Sequence, residues 1–189
     1  ITYPYCKKVK MIFQKTDIDG CYLITYKTFH DERGYFSVPF NQELFNKNVG
    51  YDVNFIQDNQ SFSYKNVIRG LHFQTGEYEQ AKLVTSNFGR VLDVVVDMRK
   101  KSHTYGNVVK FELGLGLERL LFIPRGCAHG FSVLSDTALF QYKVDNVYNK
   151  ESEGGVIYSD KYLNINWNID IGQEIVSDKD KELPSFISW

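Results

Sequence analysis

The chain is 189 residues long and 43% of them are hydrophobic, enough to bury one substantial core. Its formal net charge is -1 with acidic and basic residues interspersed, so no field of one sign is on offer to a nucleic-acid backbone or an anionic membrane. No apolar run approaches the ~18 residues that a membrane span needs and no secretory-signal pattern is present, so a soluble, cytoplasmic protein is expected.

In chain order, residues 1–10 precede Met11, which opens the more ordinary start MIFQKTDIDG. They are read as an upstream extension without a fold role, leaving 11–189 as a single domain. Short β-rich runs then recur every ten or so residues: CYLITY at 21–26, VNFIQ at 53–57, KLVTS at 82–86 and RVLDVVVD at 90–97. VVKFEL at 108–113, LLFIP at 120–124, GFSVL at 130–134 and ALFQYKV at 138–144 continue the series. The turns between them, such as SNFG at 86–89 and LSD at 134–136, are built from Asn, Asp, Gly and Ser. Aromatic residues make up 15% of the chain, a bias that suits pleated surfaces. Evenly spaced short strands predict an all-β sandwich or barrel, with a turn or two of helix at NQELFNK, 41–47. The less regular stretch from Asn164 is expected to pack back onto that barrel, and a barrel of this size encloses room for one small ligand.

Cys6, Cys21 and Cys127 form neither an even set nor a C-x-x-C pair and are read as reduced thiols. Four histidines occur, and two of them sit in apolar, strand-like settings: His72 in VIRGLHF and His129 in IPRGCAHGF. A lone histidine in such a run is most often a satisfied core residue. These two have cationic company, however: Arg69 three residues before His72, Lys82 ten after it, and Arg125 four before His129. A buried cation without a counter-charge is costly, so several on histidine-bearing strands point to an anionic ligand. Stems lying over apolar surface are the alternative for each cation taken singly.

RGLHF at 69–73, QAKLV at 80–84, FGRVLDVVVDMR at 88–99 and IPRGCAHGFSVLSDTA at 123–138 resemble the dTDP-4-dehydrorhamnose 3,5-epimerase family. The resemblance runs on through YKVDNVYN at 142–149, INW at 165–167 and SDKD at 177–180, and covers nearly everything from Met11 to Phe186. It implies a homodimeric cupin-type β-barrel, or jelly roll, with short peripheral helices and no metal or organic cofactor. The implied activity is an isomerase of dTDP-rhamnose and polysaccharide biosynthesis, which inverts C3, C5 or both in a nucleotide-linked 4-keto-6-deoxy hexose. Position by position, it makes His72 the general base, Tyr142 the acid on the other face, Asp180 the partner of His72 and Lys82 the neighbour of the keto oxygen. Arg33, Gln57, Asn59, Arg69, His129, Glu153 and Lys179 match nucleotide-sugar-binding positions, and Tyr148 matches an aromatic beside the base. The arm carrying DERG, Asp31 to Gly34, would reach a neighbouring subunit. One position departs: Val38, followed by Pro39, stands where the family carries a ligand-binding glutamate.

The chemistry suits these residue types. A C–H beside a ketone is acidic because the enolate places charge on oxygen, and an ammonium aimed there lowers the barrier. Histidine titrates near neutrality, and a carboxylate fixes its tautomer and stabilises the imidazolium. Inversion needs a second acid across the ring, which a tyrosine hydroxyl supplies. Three other readings compete. An epimerase of C3 alone or C5 alone, or one acting on another nucleotide-linked keto sugar, is distinguished by deuterium uptake at each carbon. A metal-dependent cupin needs an H-x-H pair, whereas Phe73 and Gln74 follow His72. A non-catalytic sugar-binding module would bind without exchanging protons.

Overall fold

The computed structural model describes residues 10–189, so the expected extension, Lys10 apart, and Cys6 lie outside the described residues. From the N-terminal side, β1 (Met11–Lys15), β2 (Tyr22–Tyr26), β3 (Thr28–Asp31) and β4 (Gly34–Ser37) lead to helix α1 (Gln42–Val49). Next come β5 (Gln57–Tyr64), β6 (Ile68–Gln74), β7 (Lys82–Phe88), β8 (Arg90–Asp97), β9 (Val108–Gly114) and β10 (Arg119–Ile123). The order closes with β11 (Cys127–Val133), β12 (Thr137–Val144), β13 (Glu153–Gly155) and a single helical turn, α2 (Asp178–Lys181).

Two antiparallel sheets face each other, one ordered β1-β2-β10-β7-β12-β5 and the other β13-β6-β11-β8-β9, while β3 and β4 form a separate hairpin. This is the all-β jelly roll with short peripheral helices that the sequence predicts. Among the described residues no helix is long and apolar enough to cross a membrane.

Side-chain alternation sorts each strand between the interior and an outer layer. In β8, Val91 and Val95 join Leu121, Phe131 and Phe140 between the sheets. Leu92, Val94 and Val96 point outward, against Trp167, Val176 and Phe186 of the C-terminal stretch. Burial on both faces is why RVLDVVVD reads as a continuous apolar run rather than an alternating one. On the other sheet, α1 lies over Ile24, Leu83 and Phe122 through Phe45 and Val49. Asn41 caps this helix by accepting the Leu44 N–H at 3.0 Å, and Gly50 ends it with a φ of 89°.

One predicted strand is misplaced. VNFIQ lies outside any strand until its last residue, although the Ile56 N–H already donates to the Val144 carbonyl at 2.9 Å, and its apolar side chains Val53 and Phe55 pack under α1. The strand is the polar run that follows, β5, whose inward residues Asn59 and Ser61 border a cavity rather than a core. Cys21 and Cys127 are free thiols buried between the sheets, as expected, and burial pushes the Cys21 thiol up to about 12.

Candidate active site

The interior is apolar at one end and hollow at the other, where a cavity of about 470 Å³ opens between the sheets. The five-stranded sheet lines it with Arg69, His72 and Gln74 of β6, His129 of β11 and Glu153 of β13. Facing them from the six-stranded sheet are Asn59 of β5, Lys82 of β7 and Tyr142 of β12. Ser177, Lys179 and Asp180 arrive from the C-terminal segment, on and beside α2.

Strict alternation would put Arg69 and His72 on opposite faces of β6. They share the cavity because the pairing of β6 with β11 shifts between His129 and Phe131, opposite Gly70. Gly70 has a φ of 105°, and a Cβ there would meet the His129 carbonyl oxygen at 2.6 Å. A Cβ on Gly130 would meet the Arg69 carbonyl oxygen at the same distance, 2.6 Å. Two bare backbones therefore touch where the strand changes phase.

His72 Nε2 lies 2.8 Å from Asp180 Oδ1. The second oxygen of Asp180 accepts the Gly70 N–H at 3.0 Å, and the Asp180 N–H donates to the capping Ser177 Oγ at 3.1 Å. Burial pushes the Asp180 carboxyl upward, but hydrogen bonds from His72 and Gly70 outweigh it and hold the group below the usual carboxylate range. The carboxylate is thus ionised and fixed on one imidazole nitrogen, leaving the other ring nitrogen for chemistry.

Lys82 is buried and donates from Nζ to the His72 carbonyl at 3.3 Å. Desolvation lowers it from 10.5 to about 8, against the pull of Asp93. A second pair lies deeper, with His129 Nε2 2.9 Å from Asp93 Oδ2 and both residues buried. Burial raises the Asp93 carboxyl and lowers the His129 imidazole, each against the attraction of its partner. Burial also raises the Tyr142 phenol, with Arg69 pulling the other way, so Tyr142 keeps its proton at neutral pH.

At the mouth, Glu153 Oε2 takes the Lys179 ammonium at 2.7 Å and the Tyr148 hydroxyl at 3.0 Å. Arg69 donates from Nε to Ser63 Oγ at 3.0 Å, which aims its guanidinium along β5.

Ten of the twelve residues singled out in the sequence line this one cavity; Arg33 and Gln57 do not. Gln57 stands at its edge, donating to Asn59 Oδ1 at 2.7 Å. Arg33 lies on the exposed β3–β4 hairpin and pairs with Asp31. Arg125 pairs with Asp145 at 2.9 Å, away from the cavity lining. Sequence reasoning missed Asp93, although an acid inside RVLDVVVD was a visible anomaly. It also missed Gln74 and Gln80, whose partners on the distant 146–149 loop leave no local pattern, and Ser177, which caps α2 through the Asp180 N–H.

A family model described as dTDP-4-dehydrorhamnose 3,5-epimerase matches residues 15–188. The chain belongs to the dTDP-4-dehydrorhamnose 3,5-epimerase family. The family's member from Shigella flexneri is 47% identical over 173 residues, which are 92% of this chain and 94% of that one. A crystal structure of the Elizabethkingia anophelis member superposes with a TM-score of 0.91 at 47% identity, over 94% of this chain and 97% of that one. A Legionella pneumophila member, dTDP-6-deoxy-D-glucose-3,5-epimerase, was solved in complex with dTDP-4-keto-L-rhamnose. It has a TM-score of 0.90 at 39% identity and covers 94% of each chain.

Proposed function

We propose that this chain, as a single domain over residues 11–189, epimerises a dTDP-linked 4-keto-6-deoxy hexose at C3 and C5 by proton abstraction and return. The observation that carries the reading is the opposition of His72 and Tyr142, one from each sheet, across a single cavity with Lys82 buried between the walls.

In this mechanism His72, held by Asp180, removes the proton from the carbon beside the ketone. The C–H electron pair moves into the enolate, and the charge collects on the keto oxygen beside the Lys82 ammonium. Tyr142 then gives its phenolic proton to the opposite face of that carbon, which inverts it. Asn59, Arg69, His129, Glu153 and Lys179 bind the sugar and diphosphate, Tyr148 meets the base, and Gln57 adds to the set from the cavity edge. Arg33 would serve a neighbouring subunit, since it does not line this chain's own cavity.

A homodimer in the cytoplasm is the assembly proposed. Exposed Phe62 and Tyr64 on β5 and Phe88 on β7, the two strands that flank β12 in the six-stranded sheet, offer the apolar surface on which a second copy would seat. The metal-dependent alternative is disfavoured by how the side chains are spent: each cavity histidine faces a carboxylate, and the Gln74 carboxamide is bound to backbone.

The test is incubation with the dTDP-4-keto-6-deoxy sugar in heavy water, with proton NMR scoring deuterium and configuration at each carbon. Uptake with inversion at C3 and C5 is expected. Uptake at one carbon alone would restrict the activity to that carbon, and saturable binding without uptake would reduce the chain to a binding module.

A further inference from the structure

Tyr148 is 58% exposed at the cavity mouth, on the irregular loop that follows β12. A ring so placed ordinarily samples many orientations, and ordering it on ligand binding weakens affinity. Here the backbone beneath the ring is fixed before any ligand arrives. The Val147 carbonyl and the Asn149 N–H belong to the two peptide groups that flank Tyr148, and one side chain holds both. Gln74, buried at the end of β6, donates to the Val147 carbonyl at 3.1 Å and accepts the Asn149 N–H at 2.7 Å. Its remaining N–H donates to the Tyr78 carbonyl at 2.7 Å. A carboxamide, with two donor hydrogens and an acceptor oxygen, is the neutral side chain suited to joining two carbonyls and an amide.

Neighbouring amides extend the latch. Asn146 donates to the carbonyls of Glu77 at 2.8 Å and Glu79 at 3.2 Å, and Gln80 donates to the Asn146 carbonyl at 2.7 Å. The Gly76–Tyr78 turn and the Tyr148 loop are thereby tied into one unit, while Glu153 holds the ring's hydroxyl at its far end.

We infer that Gln74 is a positioning residue for nucleotide recognition, holding Tyr148 ready as a flat platform for the nucleoside base. This rests on the reading above that the site takes a nucleotide-sugar. Its own polar atoms are taken up by backbone, so it acts through Tyr148 and not by touching the sugar.

Gln74→Met keeps the volume and removes all three hydrogen bonds. The Kd of free dTDP, measured by calorimetry, and the KM of the nucleotide-sugar should each rise about tenfold, with kcat changed by less than about twofold. Binding of inorganic pyrophosphate, which has no base, should stay as in the parent. Gln74→Glu is the second variant: it retains shape and the bond from Asn149 but sets carboxylate oxygens against two carbonyls, and dTDP should again weaken selectively. Tyr148→Ala should weaken dTDP in the parent and add little more in either Gln74 background, because both changes act through one ring. Full additivity, equal losses for dTDP and pyrophosphate, or a fall in kcat at unchanged KM would overturn the inference. The calorimetric measurements need no turnover, so an absence of deuterium uptake by the parent would refute the epimerase reading while this result stood on its own.

Discussion

His72 stands 2.8 Å from Asp180 and His129 stands 2.9 Å from Asp93, and the two histidines are paired across β6 and β11. The settings differ. The His72 side chain is 33% exposed and its carboxylate is fully engaged, whereas the His129 side chain is 8% exposed and Asp93 Oδ1 is buried without a partner among the described residues. Hydrogen bonding therefore wins at Asp180 and desolvation wins at Asp93, so the first carboxyl is held below its ordinary range and the second above it. The depth of each carboxyl and the number of donors it meets make the difference.

The largest effects should come from the reacting side chains. His72→Ala and Tyr142→Phe are each expected to lower kcat/KM by about 10²–10⁴-fold with an unchanged melting temperature. Tyr142→Phe should still wash deuterium into substrate without inverting the carbon; normal turnover in both variants would remove the role assignment.

The two carboxylates give the sharpest contrast. Asp180→Asn should reduce kcat roughly 100-fold, because the amide neither fixes the His72 tautomer nor stabilises its imidazolium. Asp93→Asn replaces a group already driven toward neutrality and should cost less than about tenfold. Equal losses would show that the two pairs do the same work.

A smaller effect concerns Lys82, lowered to about 8. Its ammonium is lost as pH rises, so kcat/KM should fall on an alkaline limb near pH 8, and Lys82→Arg should move that limb upward. A limb unmoved by the substitution would assign it to another group.

The smallest concerns stability in acid. A carboxyl lowered from its ordinary 3.8 contributes stability that is complete above that pH and lost as pH falls through the folded-state value. Asp180→Asn should therefore show a shallower decline of denaturant midpoint below about pH 4 than the parent. Asp93 has the opposite sign: its raised carboxyl contributes stability that is complete below its ordinary 3.8 and lost as pH rises through the folded-state value, so Asp93→Asn should remove a loss of midpoint that the parent shows as pH rises above about 4.

Much of this was legible in the residues. The β8 run announced itself because both its faces are buried, and the NQELFNK segment at 41–47 falls on α1 and its N-cap. The polar strand β5 was not, since its inner face borders the cavity and carries none of the apolar signal by which strands are found; VNFIQ, just upstream, carries that signal instead. The meeting of Arg69 with His72 was equally hidden, because alternation separates them and only the phase shift at Gly70 restores them to one face. The family resemblance supplied His72, Tyr142 and Asp180, whereas Asp93 and Gln74 emerged only when hydrogen-bond partners could be counted.

The back-to-back contact of Gly70 and Gly130 constrains how this protein can change over time. Neither position accepts even a methyl group, and between them they fix Arg69 and His129 on adjoining strands, so selection has no small steps with which to reshape that wall. New preferences for sugar or nucleotide must instead be recruited from the polar edge strand, the mouth and the exposed hairpin.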